Sequence, residues 1–269
     1  MTTDVRAPES SIVVPMSLIA AGSVFLTIQA HEYAHGLAGL VQTGGMWVKS
    51  GSADAISPGD ATQQGVLMLA GPLFSLVTGA LIYFTTRGMR EGFGRWVATW
   101  LGLVGMMNFF GYLMTSVAGG PGDISGAITQ FGWPGWLSIP LFFVGAAGMV
   151  WLSWLFCHDV RRVGDDMPMM RRLGVWPWLW GTVLVVVVGA LLTLLGPAGD
   201  GLTGGEIVLS LMALFAALVF APMFTFFVKL VPHGGGRPDL GTKAAAIVYF
   251  VVAVAIWAFH SFVTVRIGS

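Results

Sequence analysis

The length and composition of the chain exclude most classes of protein. It has 269 residues, of which 55% are hydrophobic and 10% are charged, whereas about 25% of residues are charged in an ordinary soluble domain. A water-soluble globular enzyme and a disordered chain are therefore excluded. The 13 basic and 13 acidic residues balance to zero net charge, which argues against a nucleic-acid-binding protein. A polytopic membrane protein remains, and its single cysteine, Cys157, excludes a cysteine-rich zinc site.

Seven apolar stretches are each long enough to cross a bilayer, which takes about 20 residues. They lack period-2 alternation, so they predict helices and not the strands of a barrel. The predicted fold class is an all-α transmembrane bundle of six to seven spans, with 1–269 forming one integral membrane domain. The predicted spans are 12–40, 62–86, 95–118, 136–157, 177–196, 206–230 and 243–265.

The basic residues are distributed unevenly between the two sides of these spans. Eleven of the 13 Lys and Arg residues fall in the N-terminal segment and in the loops at 87–95, 158–176 and 229–243. By the positive-inside rule, this bias predicts a cytoplasmic N-terminus and a C-terminus outside. The chain is therefore predicted to be a multi-pass protein of the cell membrane.

The first span contains the sequence His31-Glu32-Tyr33-Ala34-His35. Positions i and i+4 share one face of a helix, so the two imidazoles can bind one zinc ion. Glu32 beside them can hold a water molecule as general base. Ionisable residues inside a span are costly and usually functional. The sequence therefore predicts His31 and His35 as metal ligands and Glu32 as the catalytic base, with a buried polar cluster that pairs with other helices as the alternative.

A catalytic zinc usually has three protein ligands and one open position. Asp123 is the best candidate for the third ligand because it follows the helix-breaking sequence Gly119-Gly120-Pro121-Gly122. The alternative is an ordinary turn aspartate that caps the next helix. The other acidic residues on the side toward which the first span runs are Asp54, Asp60, Asp200 and Glu206.

The second predicted span carries small residues at every fourth position. Gly71, Ser75 and Gly79 form a small-xxx-small ladder, which allows two helices to approach closely. We expect this ladder to press on the first span and to brace the face that carries the two histidines.

These motifs together resemble those of the site-2 protease family, which consists of intramembrane zinc metalloproteases. The resemblance covers about residues 15–130 and depends on three features. They are the HExxH sequence of the first span, the Ala70-Gly71-Pro72 sequence of the second and the Gly122-Asp123 pair after the third.

The resemblance implies a three-span catalytic core over 12–130 and accessory spans over 131–269. It implies that zinc is the cofactor, bound by His31, His35 and Asp123, and that Glu32 activates the water. It also implies that the stretch at 44–60 corresponds to a membrane-dipping hairpin near the substrate path.

The sequence departs from the family pattern in three respects. The family's third-ligand motif usually reads Asn-x-x-Pro-x-x-x-x-Asp-Gly, whereas here Asn108 lies 15 positions before Asp123, Gly111 stands in place of the Pro and Ile124 follows the Asp. Asn108 is therefore either a substrate-binding residue or a polar residue of a helix interface. Ser75 stands where the family often has Asn.

The family's active site usually lies nearer the cytoplasm, whereas the charge bias puts this one nearer the outside, and both orientations stay open.

The predicted function is the zinc-dependent hydrolysis of peptide bonds in or near transmembrane segments. The partners would be a membrane-protein substrate and the lipid bilayer. The alternative is a non-proteolytic membrane protein, such as an ion or metal transporter or a metal-binding scaffold subunit. His260, in the last span, is predicted to form a helix–helix hydrogen bond, with an extra metal ligand or a proton relay as the less favoured interpretation.

Overall fold

Long apolar helices make up most of the structure, a computed structural model that describes residues 12–57, 59–118, 122–164, 166–195, 226–231 and 238–268. Six helical stretches in these ranges are long and apolar enough to cross a membrane. The helices are α1 (Val13–Gln42), α2 (Ala61–Thr86), α3 (Phe93–Thr115), α4 (Asp123–Gln130), α5 (Ser138–Arg161), α6 (Met167–Met170), α7 (Trp176–Leu195) and α8 (Lys243–Phe262). The strands are β1 (Gly45–Lys49), β2 (Ser52–Ala55) and β3 (Val265–Gly268).

Helix α1 is the centre of the bundle. It is the most buried of the six spans, and α2, α3, α7 and α8 all pack against it. Because its neighbours separate it from lipid, α1 can carry ionisable side chains that a lipid-facing helix could not.

Helices α2 and α3 are in backbone contact. A Cβ atom at Gly79 would lie 2.7 Å from the amide nitrogen of Met106 and 2.8 Å from the carbonyl oxygen of Gly102. The predicted ladder therefore serves two neighbours, because Gly79 faces α3 while Gly71 and Ser75 face the histidines of α1. The expectation that the whole ladder presses on the first span is wrong for Gly79.

A small antiparallel sheet, with strand order β2-β1-β3, lies beside the end of α1. Strands β1 and β2 form a hairpin, and β3 pairs with the other edge of β1, so that Met46 lies opposite Ile267. Val48 and Ile267 both pack against Gly36, the residue after His35. On the outer face, the guanidinium carbon of Arg266 lies 5.3 Å from the centre of the Trp47 ring. The all-α prediction is thus correct for the bundle but omits this sheet.

The predicted spans agree with the described helices to within four residues at each end, and the difference at the C-terminus has a structural cause. There the last helix ends at Phe262 and not at residue 265, because Val263 is already extended and the chain continues into β3. The predicted span at 206–230 lies outside the described residues, apart from 226–230.

The described residues before and after the longest undescribed stretch pack in different clusters. Leu192, near the end of α7, packs in one cluster with Phe25 and Trp257. Val228 belongs instead to the cluster that contains Val160, near the end of α5.

Candidate metal centre

Two histidines on one face of α1 form the base of the site. His31 and His35 are almost fully buried, with 1% and 7% of their surface exposed. Their rings meet edge to face with centroids 4.8 Å apart, and their Nε2 atoms lie 3.1 Å from each other. The i, i+4 spacing has therefore produced the shared face that the sequence predicts.

Asp123 completes the cluster from a different element. It is the first residue of α4, a helix that packs on the first half of α2, where Gly126 accommodates Met68 and Gly65 accommodates Phe131. Burial works to raise the pKa of the Asp123 carboxyl, but the interactions with the two histidines outweigh it and hold that pKa well below its ordinary value. Asp123 thus contacts both histidines through Oδ2 and is more than a turn aspartate.

The three candidate ligand atoms converge on one point. Oδ2 of Asp123 lies 2.8 Å from Nε2 of His31 and 3.3 Å from Nε2 of His35. In a tetrahedral zinc site with metal–ligand distances of about 2.0–2.1 Å, two ligand atoms are about 3.3 Å apart. The donor set of two imidazoles and one carboxylate, at this spacing, fits a zinc ion with one position left for water or substrate.

Helix α2 orients both imidazole rings through contacts with their Nδ1 atoms. Nδ1 of His35 lies 2.7 Å from the carbonyl oxygen of Leu67, and Nδ1 of His31 lies 3.2 Å from Oγ of Ser75. Histidine ligands in metal sites usually hydrogen-bond through their second nitrogen in this way, which fixes the tautomer and the ring plane. Both rings therefore direct Nε2 toward Asp123.

Gly71 allows α2 to lie directly against the two histidines. A Cβ atom at this position would collide with Nε2 of both His31 and His35. The next residue, Pro72, lies inside the helix, has no backbone N–H and crowds the carbonyl four residues earlier, which loosens the helix at this turn. The accepting carbonyl of Leu67 lies just before that turn.

Glu32 lies on α1 between the two histidines and has 6% of its surface exposed. The charged groups that act on its carboxylate belong to His35, Asp123 and Asp54. An acidic side chain therefore lies within electrostatic range of His35 and Asp123, as a general base at this site would have to.

The other residues that the sequence singles out have separate roles. Asp54 forms an ion pair with Lys49 at 3.3 Å, and Asp60 caps α2 by accepting a hydrogen bond from the backbone of Gln63. The predicted helix–helix hydrogen bond of His260 is confirmed, because Nε2 of His260 lies 2.7 Å from the Tyr33 hydroxyl. Asp200 and Glu206 lie outside the described residues.

Helix α3 carries one residue that the sequence singles out, Asn108, and one unexpected residue at the site, Tyr112. The Oδ1 atom of Asn108 is buried without a hydrogen-bond partner among the described residues, and its contact with substrate stays a prediction. Tyr112, one turn later, stacks on the ring of His31, a contact that the sequence analysis missed. Its only signal in the sequence is an i, i+4 spacing from Asn108.

Comparison with known protein families, curated proteins and solved structures finds no match to this chain.

Proposed function

We propose that the chain is an intramembrane zinc metalloprotease, similar to the site-2 proteases, that hydrolyses peptide bonds in or near transmembrane segments. The observation that carries this proposal is the convergence of Nε2 of His31, Nε2 of His35 and Oδ2 of Asp123 on one point. A metal-binding role alone would not require an acidic residue between the two histidines, and Glu32 supplies one.

Each residue has a role in this reaction that follows from its chemistry. His31, His35 and Asp123 would hold a zinc ion, which would lower the pKa of a water molecule and polarise the scissile carbonyl. Glu32 accepts a proton from the attacking water and passes it to the leaving amine. The water molecule thus supplies a hydroxyl group to the new carboxylic acid and a proton to the new amine.

The surroundings of the site favour a membrane-embedded substrate. The ligands lie on the most buried of six apolar helices, and the β1–β2 hairpin packs against α1 next to His35. A peptide bond inside a helix is shielded by its own hydrogen bonds, so a substrate segment must unwind before it can be cleaved. An extended hairpin beside the site is a suitable surface for an unwound segment.

The deciding experiment compares the wild-type protein with Glu32→Gln. Both forms should purify with about one zinc ion per chain, measured by elemental mass spectrometry, because Glu32 is not a ligand. Mass spectrometry of new N-termini in membranes that express each form should find cleavage in or near transmembrane segments only with the wild type.

A matched control is Asp239→Asn, which makes the same change from acid to amide at an exposed residue far from the site. Asn can still accept the hydrogen bond that Oδ1 of Asp239 accepts from the backbone of Gly241, so this variant should cleave like the wild type. The proposal fails if the wild type does not retain zinc after supplementation, or if Glu32→Gln produces the same new N-termini.

A further inference from the structure

A tyrosine of α3 contacts the metal centre without being one of its candidate ligands. The ring of Tyr112 lies nearly parallel to the imidazole of His31, with an angle of 8° between the planes and 5.3 Å between the centroids. A stacked ring restricts rotation of the imidazole about its χ2 angle. The direction of the Nε2 lone pair depends on that rotation, so the stack helps to determine where His31 can bind a metal.

The same side chain also reaches the third ligand. A Cβ atom at Gly122 would lie 3.6 Å from Cδ1 of Tyr112, which is ordinary van der Waals contact. The ring thus packs beside the residue that immediately precedes Asp123, and the charge of the Asp123 carboxylate acts on the Tyr112 hydroxyl.

Asp123 needs support of this kind because its own element is short. Helix α4 has eight residues and begins at Asp123 itself. Packing of α4 on α2 determines where the helix begins, but it leaves the carboxylate able to rotate about its side-chain bonds. A donor on α3 restricts that rotation.

We propose that Tyr112 is a positioning residue of the metal centre, whose ring holds the imidazole plane of His31 and whose hydroxyl holds the Asp123 carboxylate. The inference depends on the proposed function only in that the three ligands bind zinc. Tyr112 joins two ligands that come from different elements, α1 and α4, and it does so from a third element, α3. Outer partners of metal ligands typically change metal affinity or activity about 10–100-fold when they are removed.

Two substitutions separate the two parts of this role. Tyr112→Phe keeps the stacked ring and removes the hydroxyl, whereas Tyr112→Leu removes both. In the purified full-length protein, competition with a chelator should show that the zinc dissociation constant rises about 10-fold in Tyr112→Phe and toward 100-fold in Tyr112→Leu. The visible absorption spectrum of the cobalt-substituted protein should change in the same order, because it reports the geometry of the ligands.

A second tyrosine–aspartate pair provides the matched control. The hydroxyl of Tyr83 donates a hydrogen bond to Asp159 in a buried site that contains none of the three ligands. Tyr83→Phe should lower the unfolding temperature of the metal-free protein and leave the zinc dissociation constant unchanged. Tyr112→Phe should instead raise the zinc dissociation constant and leave the unfolding temperature of the metal-free protein unchanged. A tyrosine with a structural role alone would not give this result.

Zinc binding by the wild type and the Tyr112 variants distinguishes failure of the Tyr112 role from failure of the metal centre. If the wild type binds zinc and Tyr112→Phe binds it equally well with the same cobalt spectrum, the role of Tyr112 is overturned and the metal centre stands. Equal dissociation constants for the Phe and Leu variants would overturn the role of the stacked ring. If the wild type itself binds no zinc, the metal centre is wrong and the inference is lost with it.

Discussion

Two aspartates with different partners, the partly exposed Asp123 and the buried Asp159, illustrate how this bundle handles charge. Asp123 faces the Nε2 atoms of two histidines, whereas Asp159 on α5 lies 3.4 Å from the guanidinium of Arg95 and accepts a hydrogen bond from Tyr83. Gly71, against the first cluster, and Tyr83, in the second, are both on α2, 12 residues or about 18 Å apart along the helix. Both carboxylates lie inside a largely apolar bundle.

The difference between the two clusters lies in the chemistry of the partner. Arginine is always charged and has only donors, so Arg95 has no lone pair to offer a metal and its charge repels a cation from Asp159. Arg95 is further neutralised by Glu91, at 2.7 Å. A neutral histidine has a lone pair on one ring nitrogen, so two such nitrogens beside a carboxylate form a ligand set for a cation. The first cluster is therefore suited to bind a metal, and the second is already neutralised internally.

The largest effects are expected when the same substitution, aspartate to asparagine, is made in each of the two clusters. Asp123→Asn should weaken zinc binding by more than the roughly 100-fold that is typical of changes outside the ligand set, and it should abolish cleavage. Asp159→Asn should leave zinc binding intact and destabilise the protein by about 3 kcal/mol, because it leaves the charge of Arg95 with less compensation. Zinc competition and thermal unfolding measure the two effects.

The two clusters do not differ in function if both variants change zinc affinity in the same way. Zinc affinity lost in Asp159→Asn would mean that the two clusters are coupled through α2. Zinc affinity retained in Asp123→Asn would mean that this carboxylate is not a ligand.

The next largest effect is expected at Gly71. Gly71→Ala adds a methyl group where the Nε2 atoms of His31 and His35 now lie, so the two rings must separate and zinc affinity should fall at least about 10-fold. Gly88→Ala is the matched control, because a Cβ atom there meets no atom within 4 Å. Unchanged zinc binding in Gly71→Ala would show that α2 does not determine the spacing of the histidines.

The site was predictable from sequence to the extent that its signals are local. His31, Glu32 and His35 form a local helical pattern, and the glycine-rich turn before Asp123 marks a change of direction next to an acidic residue. Tyr112 and the carbonyl of Leu67 carry no such signal. An aromatic residue in an apolar helix and a backbone carbonyl become recognisable as supports only once the helices are packed.

The fold, like the site, was predictable only where its signals are local in the sequence. Hydropathy located the described spans because each helix is a continuous apolar stretch. It missed the pairing of β3 with β1, because β3 has four residues that directly follow an apolar helix and its partner lies near the other end of the chain. Hydropathy identifies a segment that suits the bilayer, but it does not identify the partner of a short strand.

The smallest expected effect concerns the outer hydrogen bond of His31. Ser75→Ala removes the hydroxyl that lies 3.2 Å from Nδ1 of His31 and keeps a small side chain where α2 faces α1. Zinc affinity should fall by up to about 10-fold, at the lower end of the range for such partners. Thr78→Val is the control, since within the described residues the Thr78 hydroxyl bonds only to the carbonyl of Phe74 in the same helix.

Combining Ser75→Ala with Tyr112→Phe tests whether the two supports act on one centre. Ser75 holds His31 by a hydrogen bond, and Tyr112 contacts the same imidazole and the neighbouring Asp123, so the two changes in binding free energy should not add. A coupling of about 0.5 kcal/mol or more is typical of residues that share a partner. Additive losses would mean that Ser75 and Tyr112 support the site independently. The end of the bundle near Asp123 would then consist of separately held ligands, whereas Tyr83, Arg95 and Asp159 at the other end form a single network.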